Sequence, residues 1–320
     1  MTPPTDNLAL TVTDLQRSFA GVPAVTGLNL ELQRGEMFGL VGPDGAGKST
    51  AIRLFCGLLR PTAGAGQVLG FDLVREPDKI KAAIGYLSQN FTLYGDLSID
   101  ENIEFFAQLH GVSHYRQRRD ELLAFTRLTP FRERLAQALS GGMKKKLALA
   151  CALIHTPQIL FLDEPSTGVD PVSRGEFWTI LSALLDQGIT VLMTTPYLDE
   201  AERCHRIGLM FRGRLLRTGT PAEVKAALPG QVYRLECPDR PAAYRFLRTA
   251  WPPTQLVLYG DRLHFWTPAG ETEARQVVDQ LTGHGLGPAA FTPVEPSLED
   301  VFTALLGKHS EEHEKTTGGE

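Results

Sequence analysis

The stretch Gly42-Pro43-Asp44-Gly45-Ala46-Gly47-Lys48-Ser49-Thr50 fits the pattern G-x-x-x-x-G-K-[ST] at every fixed position. The residue types explain what such a loop does. Glycines let backbone N–H groups turn inward and approach a polyphosphate with no Cβ in the way. A helix starting at the loop adds its partial positive charge. Lys48 brings a point charge to β- and γ-phosphates, and Ser49 offers a hydroxyl to Mg²⁺. The flanks agree. Met37-Phe38-Gly39-Leu40-Val41 reads as a buried strand entering the loop, and Ala51 to Cys56 as the helix leaving it. The competing reading, an ordinary glycine turn before a helix, is disfavoured by Gly-Lys-Ser standing between strand and helix.

Upstream, Leu8 to Leu15 and Val25 to Leu32 alternate apolar and polar residues, as half-buried strands do. Arg17-Ser18-Phe19-Ala20-Gly21 reads as a turn between them. The pair suggests a small antiparallel layer ahead of a parallel sheet. Phe19 is either an exposed ring that stacks on a nucleotide base or packed core. Downstream, Arg60 to Gly66 is a breaker cluster. Strands are expected over Gln67 to Phe71 and Ala83 to Leu87, with a helix over Glu76 to Ala82. Gln89 follows at a strand end, where an amide reaches Mg²⁺ or an attacking water; a plain loop residue is the alternative.

From Ser98 the period becomes helical. Ser98 and Glu101 form a capping box, with Ile99, Ile103, Phe106, Ala107 and His110 at helical spacing behind it. A second helix is expected over about Tyr115 to Leu128, and a third from Ser140-Gly141-Gly142-Met143 through Ile154. His110 and His114 read as solvated helix ends rather than ligands. Ser140, Gly141 and Gly142 make a second anion-binding helix start. The run Lys144-Lys145-Lys146 reads as a solvated face.

Gln158 to Pro165 is an apolar strand ending in Asp163 and Glu164. Acids at the carboxyl end of a buried strand stand where open α/β sheets bind ligands. Asp163 suits Mg²⁺, and Glu164 suits polarising a water aimed at the γ-phosphorus. Gly168-Val169-Asp170-Pro171 reads as a turn and Glu176 to Gln187 as a helix. A strand over Ile189 to Thr194 leads to Thr195-Pro196-Tyr197-Leu198-Asp199-Glu200, and the last strands lie near Ile207 to Phe211 and Leu215 to Thr218.

Composition bounds the answer. The 320 residues suffice for two or three domains, and 42% apolar content supports a packed core. A net charge of -5 leaves no electrostatic footprint for nucleic acid. No apolar run approaches a membrane span, and Met-Thr-Pro-Pro-Thr-Asp-Asn has neither the basic nor the apolar region of a secretory signal. Cys56, Cys151, Cys204 and Cys237 lack metal-type spacing and read as reduced thiols.

The phosphate loop, Gln89, Leu139-Ser140-Gly141-Gly142-Met143, Asp163-Glu164 and Gly168-Val169-Asp170 stand in one order and spacing. In this, residues 1 to about 225 resemble the nucleotide-binding subunit of ATP-binding-cassette (ABC) transporters. The resemblance implies an α/β P-loop cassette: a parallel sheet core, an antiparallel β subdomain and a helical subdomain at about 90–155. It implies that Phe19 stacks on the base of ATP and that Gly42 to Thr50 hold its phosphates. Gln89 would serve the metal and the coupling to membrane domains, Asp163 the Mg²⁺, and Glu164 as general base. Ser140, Gly141 and Gly142 would contact the γ-phosphate bound on a partner subunit, with Asp170 also near the nucleotide. Ser140-Gly141-Gly142-Met143, Tyr94-Gly95-Asp96-Leu97-Ser98 and Tyr197-Leu198-Asp199-Glu200-Ala201-Glu202 resemble the ABC-2-type branch, which includes drug and antibiotic exporters. Asp44, where most members carry Asn, and Pro196, where they carry a His that contacts the γ-phosphate, resemble the first half of tandem two-cassette members. The implied protein is a peripheral ATPase on the cytoplasmic face of the inner membrane. It would pair with a second cassette, its own copy or, favoured, a different one, and with ABC-2-type permease subunits. A cassette that binds ATP only as a dimerisation switch is the alternative. A ribosome- or DNA-acting relative is disfavoured by the single cassette, the acidic balance and the absence of sustained heptads.

The cassette is expected to span residues 1–228, ending at Pro229-Gly230. Residues 231–308 then read as β-α-β-β-α-β, a ferredoxin-like α+β accessory domain. Its hairpin turns at Gly260-Asp261, and Ser297 with Asp300 caps a closing helix. It carries no catalytic constellation and reads as a regulatory or dimer-supporting module, with Trp251 and Trp266 in its core. Residues 309–320 are polar and expected to be disordered.

Overall fold

The computed structural model describes residues 7–90, 93–287 and 289–306. The tail expected to be disordered lies outside them. The chain divides into two compact units, Met1–Arg217 and Thr218–Glu320.

The first unit holds two sheets. β1 (Leu8–Phe19) and β2 (Val22–Gln33) pair antiparallel, and the layer continues through β4 (Ala63–Val68) and β5 (Phe71–Asp72) in the order β2-β1-β4-β5. β1 runs through Phe19, past the turn expected at Arg17. A register shift between Val12 and Leu15, with Asp14 at φ 48, breaks the alternation that would have shown the continuation. β4 begins inside the expected breaker cluster, because pairing with β1 overrides the local preference of its glycines.

The main sheet has the order β10-β9-β3-β8-β7-β6. Its strands are β3 (Met37–Val41), β6 (Ile84–Leu87), β7 (Ile159–Asp163), β8 (Thr190–Thr195), β9 (Arg206–Phe211) and β10 (Arg214–Gly219). The chain from β6 to β3 and on to β9 pairs parallel, so the carboxyl ends of β3, β7 and β8 share one edge. β3, β7 and β8 are buried at every position, as strands covered on both faces must be. Phe38, Phe55, Phe161 and Leu192 belong to the core beneath the loop.

Helices supply the rest. α1 (Lys48–Phe55) leaves the phosphate loop, and α2 (Pro77–Ala83) precedes β6. α3 (Ile99–Leu109), with its Ser98–Glu101 capping box, α4 (Tyr115–Phe125) and α5 (Gly141–Leu153) make the helical insertion. α6 (Pro171–Asp186) starts a turn earlier than read. Asp170 accepts from the amides of Val172 and Ser173, and a proline is favoured at the first helical position. α7 (Leu198–Ala201) follows β8. His110 is an exposed helix end as expected, and its ring also stacks on that of His155 at 3.8 Å, where partial burial lowers the pKa of both imidazoles.

The second unit starts with α8 (Pro221–Ala226). β11 (Gln231–Glu236), α9 (Arg240–Ala250), β12 (Leu256–Tyr259), β13 (Arg262–Thr267), α10 (Glu271–Gly283) and β14 (Ala290–Val294) follow in the expected β-α-β-β-α-β order. The sheet runs β12-β13-β11-β14, with every neighbouring pair antiparallel. Leu235, Leu247, Phe265 and Val277 fill its core. Trp251 packs edge-on against Phe265, while Trp266, expected in the core, is half-buried and donates to the Pro229 carbonyl at 2.6 Å.

A final helix covers residues 298–306. Asp300 accepts from the Ser297 amide and hydroxyl, each at 2.8 Å, and both its oxygens lie 3.1 Å from Nδ1 of buried His264 on β13. Asp300→Ala is expected to cost about 1–3 kcal/mol, since His264 keeps its burial and loses its carboxylate partner. The melting of residues 218–320 reads this; an unchanged transition would remove Asp300 from the stability of the unit.

Candidate functional site

The phosphate loop joins β3 to α1 and turns on glycines in left-handed conformations, Gly45 at φ 78 and Gly47 at φ 100. A Cβ on Gly47 would also meet the Ala24 carbonyl at 2.3 Å. Gly47 caps α1 with no side chain, so the first amides of the helix stay open to a ligand. A cavity of about 310 Å³ opens here, lined by Ala24, Asp44, Gly45, Ala46, Gly47, Lys48, Ser49, Thr50, Gln89 and Glu164.

The loop after β3 and the residues following β6 and β7 line this cavity. Buried Lys48 donates to the carbonyls of Gly42 at 2.7 Å and Pro43 at 3.1 Å, and its Nζ lies 3.4 Å from Glu164 Oε1. Ser49 Oγ and Thr194 Oγ1 both donate to Asp163 Oδ1, at 2.9 and 2.7 Å. Asp163 Oδ2 is buried and, among the described residues, has no hydrogen-bond partner. A desolvated carboxylate oxygen without a donor beside a serine hydroxyl fits a hard cation with oxygen ligands. Ser49 and Asp163 are the residues that would hold Mg²⁺, with Gln89 lining the same cavity as Ser49. Bound there, the ion supplies charge neutralisation to phosphate oxygens.

Glu164 stands at φ 49, a conformation a non-glycine residue keeps only when its surroundings hold it. Its amide donates to Thr194, at 3.0 Å to Oγ1 and 3.2 Å to the carbonyl. Its Oε2 accepts from Gln89 Nε2 at 3.0 Å and Thr167 Oγ1 at 3.4 Å. One carboxylate thus faces the loop lysine through one oxygen and Gln89 through the other. That arrangement can orient a water beside a terminal phosphate and take its proton.

Other expected site residues lie elsewhere. Phe19 is 42% exposed, which excludes the core reading; the Arg17 guanidinium sits 4.6 Å over its ring. Ser140 caps α5, accepting from the Met143 amide, and neither it nor Gly141 or Gly142 lines the cavity. Asp170 caps α6 rather than facing this cavity. Pro196 follows the last residue of β8. His205 offers no substitute, since its Nδ1 accepts from the Met37 amide at 2.9 Å.

The lysine run is a correction. Lys145 and Lys146 are buried, not on a solvated face. Lys146 pairs with Glu176 of α6, and Lys145 reaches the carbonyls of Gln89 and Glu164. Among the residues at or beside the site, Thr194 and Lys145 were not assigned to it by the sequence reading. Both are common residue types whose function depends on partners far away in sequence.

Residues 25–167 match the family described as ABC transporter. The daunorubicin/doxorubicin resistance ATP-binding protein DrrA of Streptomyces peucetius is 36% identical over 93% of this chain and 92% of its own length. This chain belongs to the ABC transporter ATP-binding family. The probable multidrug ABC transporter ATP-binding protein YbhF of Escherichia coli K12 is 43% identical over 67% of the chain, which spans 37% of that longer protein. Among solved structures, cbiO1 from Clostridium perfringens, part of an ABC transporter complex, superposes with a TM-score of 0.64 at 29% identity, covering 69% of this chain and 92% of its own. A dimeric ATP-binding cassette in a post-hydrolysis state with ADP and Pi gives 0.61 at 26% identity, covering 66% and 98%. The loop, Gln89, Ser140-Gly141-Gly142 and Asp163-Glu164 all lie within the matched residues.

Proposed function

We propose that this cassette is the ATP-binding subunit of an ABC-2-type exporter. It binds MgATP, pairs with a second cassette and couples hydrolysis to transport by separate membrane subunits at the cytoplasmic face. The resistance and export names of its relatives support this reading, and none of those named supports a cassette that only switches. The observation that carries it is the meeting of Lys48, Ser49–Asp163 and Glu164–Gln89 at one cavity, while Ser140, Gly141 and Gly142 stand outside it. A signature displaced from its own chain's loop is free to complete the site of a partner. Phe19 takes the base, Gly42 to Thr50 the phosphates, and Asp170 steadies the start of α6 beside the signature. Glu164 takes a proton from water as its oxygen bonds the γ-phosphorus and the bond to the β-phosphate oxygen breaks.

Among the described residues no helix is long and apolar enough to cross a membrane; in this reading separate membrane subunits provide the path. A second hollow, about 340 Å³ and largely apolar, is lined in part by Leu58, Tyr86, Phe106 and Leu109. We read it as the place where a membrane subunit docks. Residues 1–228 form the cassette in this reading, and 231–308 a ferredoxin-like regulatory or dimer-supporting module.

Detergent extraction of the native complex on this chain tests the proposal. Recovery of hydrophobic permease subunits with a second cassette is expected. Recovery of ribosomes or nucleic acid instead would overturn it.

A further inference from the structure

Three lysines follow the signature glycines, and the structure gives them different places. Lys144 is half-buried, Lys146 pairs with Glu176, and Lys145 is only 3% exposed. Burying an ammonium costs free energy unless polar partners compensate. The partners of Lys145 are informative: its Nζ lies 3.3 Å from the Gln89 carbonyl and 3.5 Å from the Glu164 carbonyl. These two residues also join through their side chains at the nucleotide cavity. Glu164 is the strained one, at φ 49. Thr194 fixes its amide from one side, and Lys145 faces its carbonyl from the other.

We propose that Lys145 is a positioning residue for hydrolysis, holding the backbones of Gln89 and Glu164 so that their side chains stay in register at the phosphate end of the cavity. The proposal rests on the reading of Glu164 as the base. Lys145 is not among the residues lining the cavity, so it acts through those two residues and not on the nucleotide. It also begins on the helix that Ser140 caps, roughly a turn and a half from the signature. One rigid element therefore carries both the signature offered to a partner and the contact to this chain's own base. Movement of α5 when two cassettes close would be felt at Glu164.

The test is single-turnover hydrolysis of radiolabelled ATP by the full chain in excess over nucleotide, which reads even a slow site, together with equilibrium ATP binding. Lys145→Met should slow hydrolysis roughly ten- to a hundredfold, the scale of a small misplacement in a preorganised site. ATP affinity should stay within about twofold, because no phosphate contact is removed. Lys145→Arg, which keeps charge and donors, should recover most of the rate. If the methionine variant does not fold, Lys145→Gln carries the same comparison. A neutral variant as fast as wild type, an affinity that falls in step with the rate, or an arginine variant no faster than methionine would each overturn the proposal. So would wild type no faster than Glu164→Gln, since no base would then be held. Failure of wild type to bind ATP at all would instead bring down the reading of the cavity itself, and this inference with it.

Discussion

Lys48→Ala is expected to weaken ATP binding roughly ten- to a hundredfold, the equivalent of about 1.5–3 kcal/mol for one charge-assisted contact. Lys48 is held in advance for that contact. The carbonyls of Gly42 and Pro43 fix its ammonium inside the loop, where it also faces Glu164. The substitution therefore has two consequences: the phosphates lose a cation, and the buried Glu164 carboxylate loses its neighbour. Calorimetric titration with ATP measures the first, and a melting curve without nucleotide measures the second. Unchanged affinity in a folded variant would refute the assignment of the loop. A loss of melting temperature alone would mean that Lys48 serves the fold more than the ligand.

Pro196 is expected to make the site on this chain's loop slow. Proline has no side-chain donor and no backbone N–H, so it cannot take over a hydrogen bond to a γ-phosphate. Among the described residues, the side-chain groups near the end of β8 are already engaged. The Thr194 hydroxyl is given to Asp163, that of Thr195 to Glu200, and His205 Nδ1 is used by the Met37 amide. Lys48, Asp163, Glu164 and Gln89 all remain in place, so binding should survive while hydrolysis suffers. The lone chain is then a poor ATPase. In a complex with a partner cassette that has a complete set of residues, most turnover is expected at the opposite site, which in the proposed pairing uses this chain's Ser140, Gly141 and Gly142. Ser140→Arg here should abolish more activity than Glu164→Gln here, measured as steady-state hydrolysis by the assembled complex. Equal losses, or brisk hydrolysis by the lone chain, would return Pro196 to a tolerated variation, since the cost of losing one group from a phosphoryl-transfer site varies widely.

The sequence determined the cassette and most of its chemistry. A glycine loop between strand and helix, an acid pair ending an apolar strand, and Ser-Gly-Gly opening a helix are local patterns, written in residues that stand close together in the chain. They are legible because backbone conformation and strand burial constrain neighbouring residue types. The β-α-β-β-α-β order of the second unit was legible for the same reason. Local pattern failed where a long-range partner decides. β1 continued through a bulge because β2 and β4 pair with it. α6 started early because Asp170 and Pro171 act together as cap and first turn. Exposure alone chose between two fates for Phe19 that composition left open. The lysines after the signature show the limit most plainly. Three identical side chains in a row carry no sequence sign of which is solvated. Only the packing of α5 sends Lys146 to Glu176 on α6 and Lys145 to the backbone of Gln89 and Glu164, because the direction of a helical side chain has meaning only once the neighbouring elements are in place.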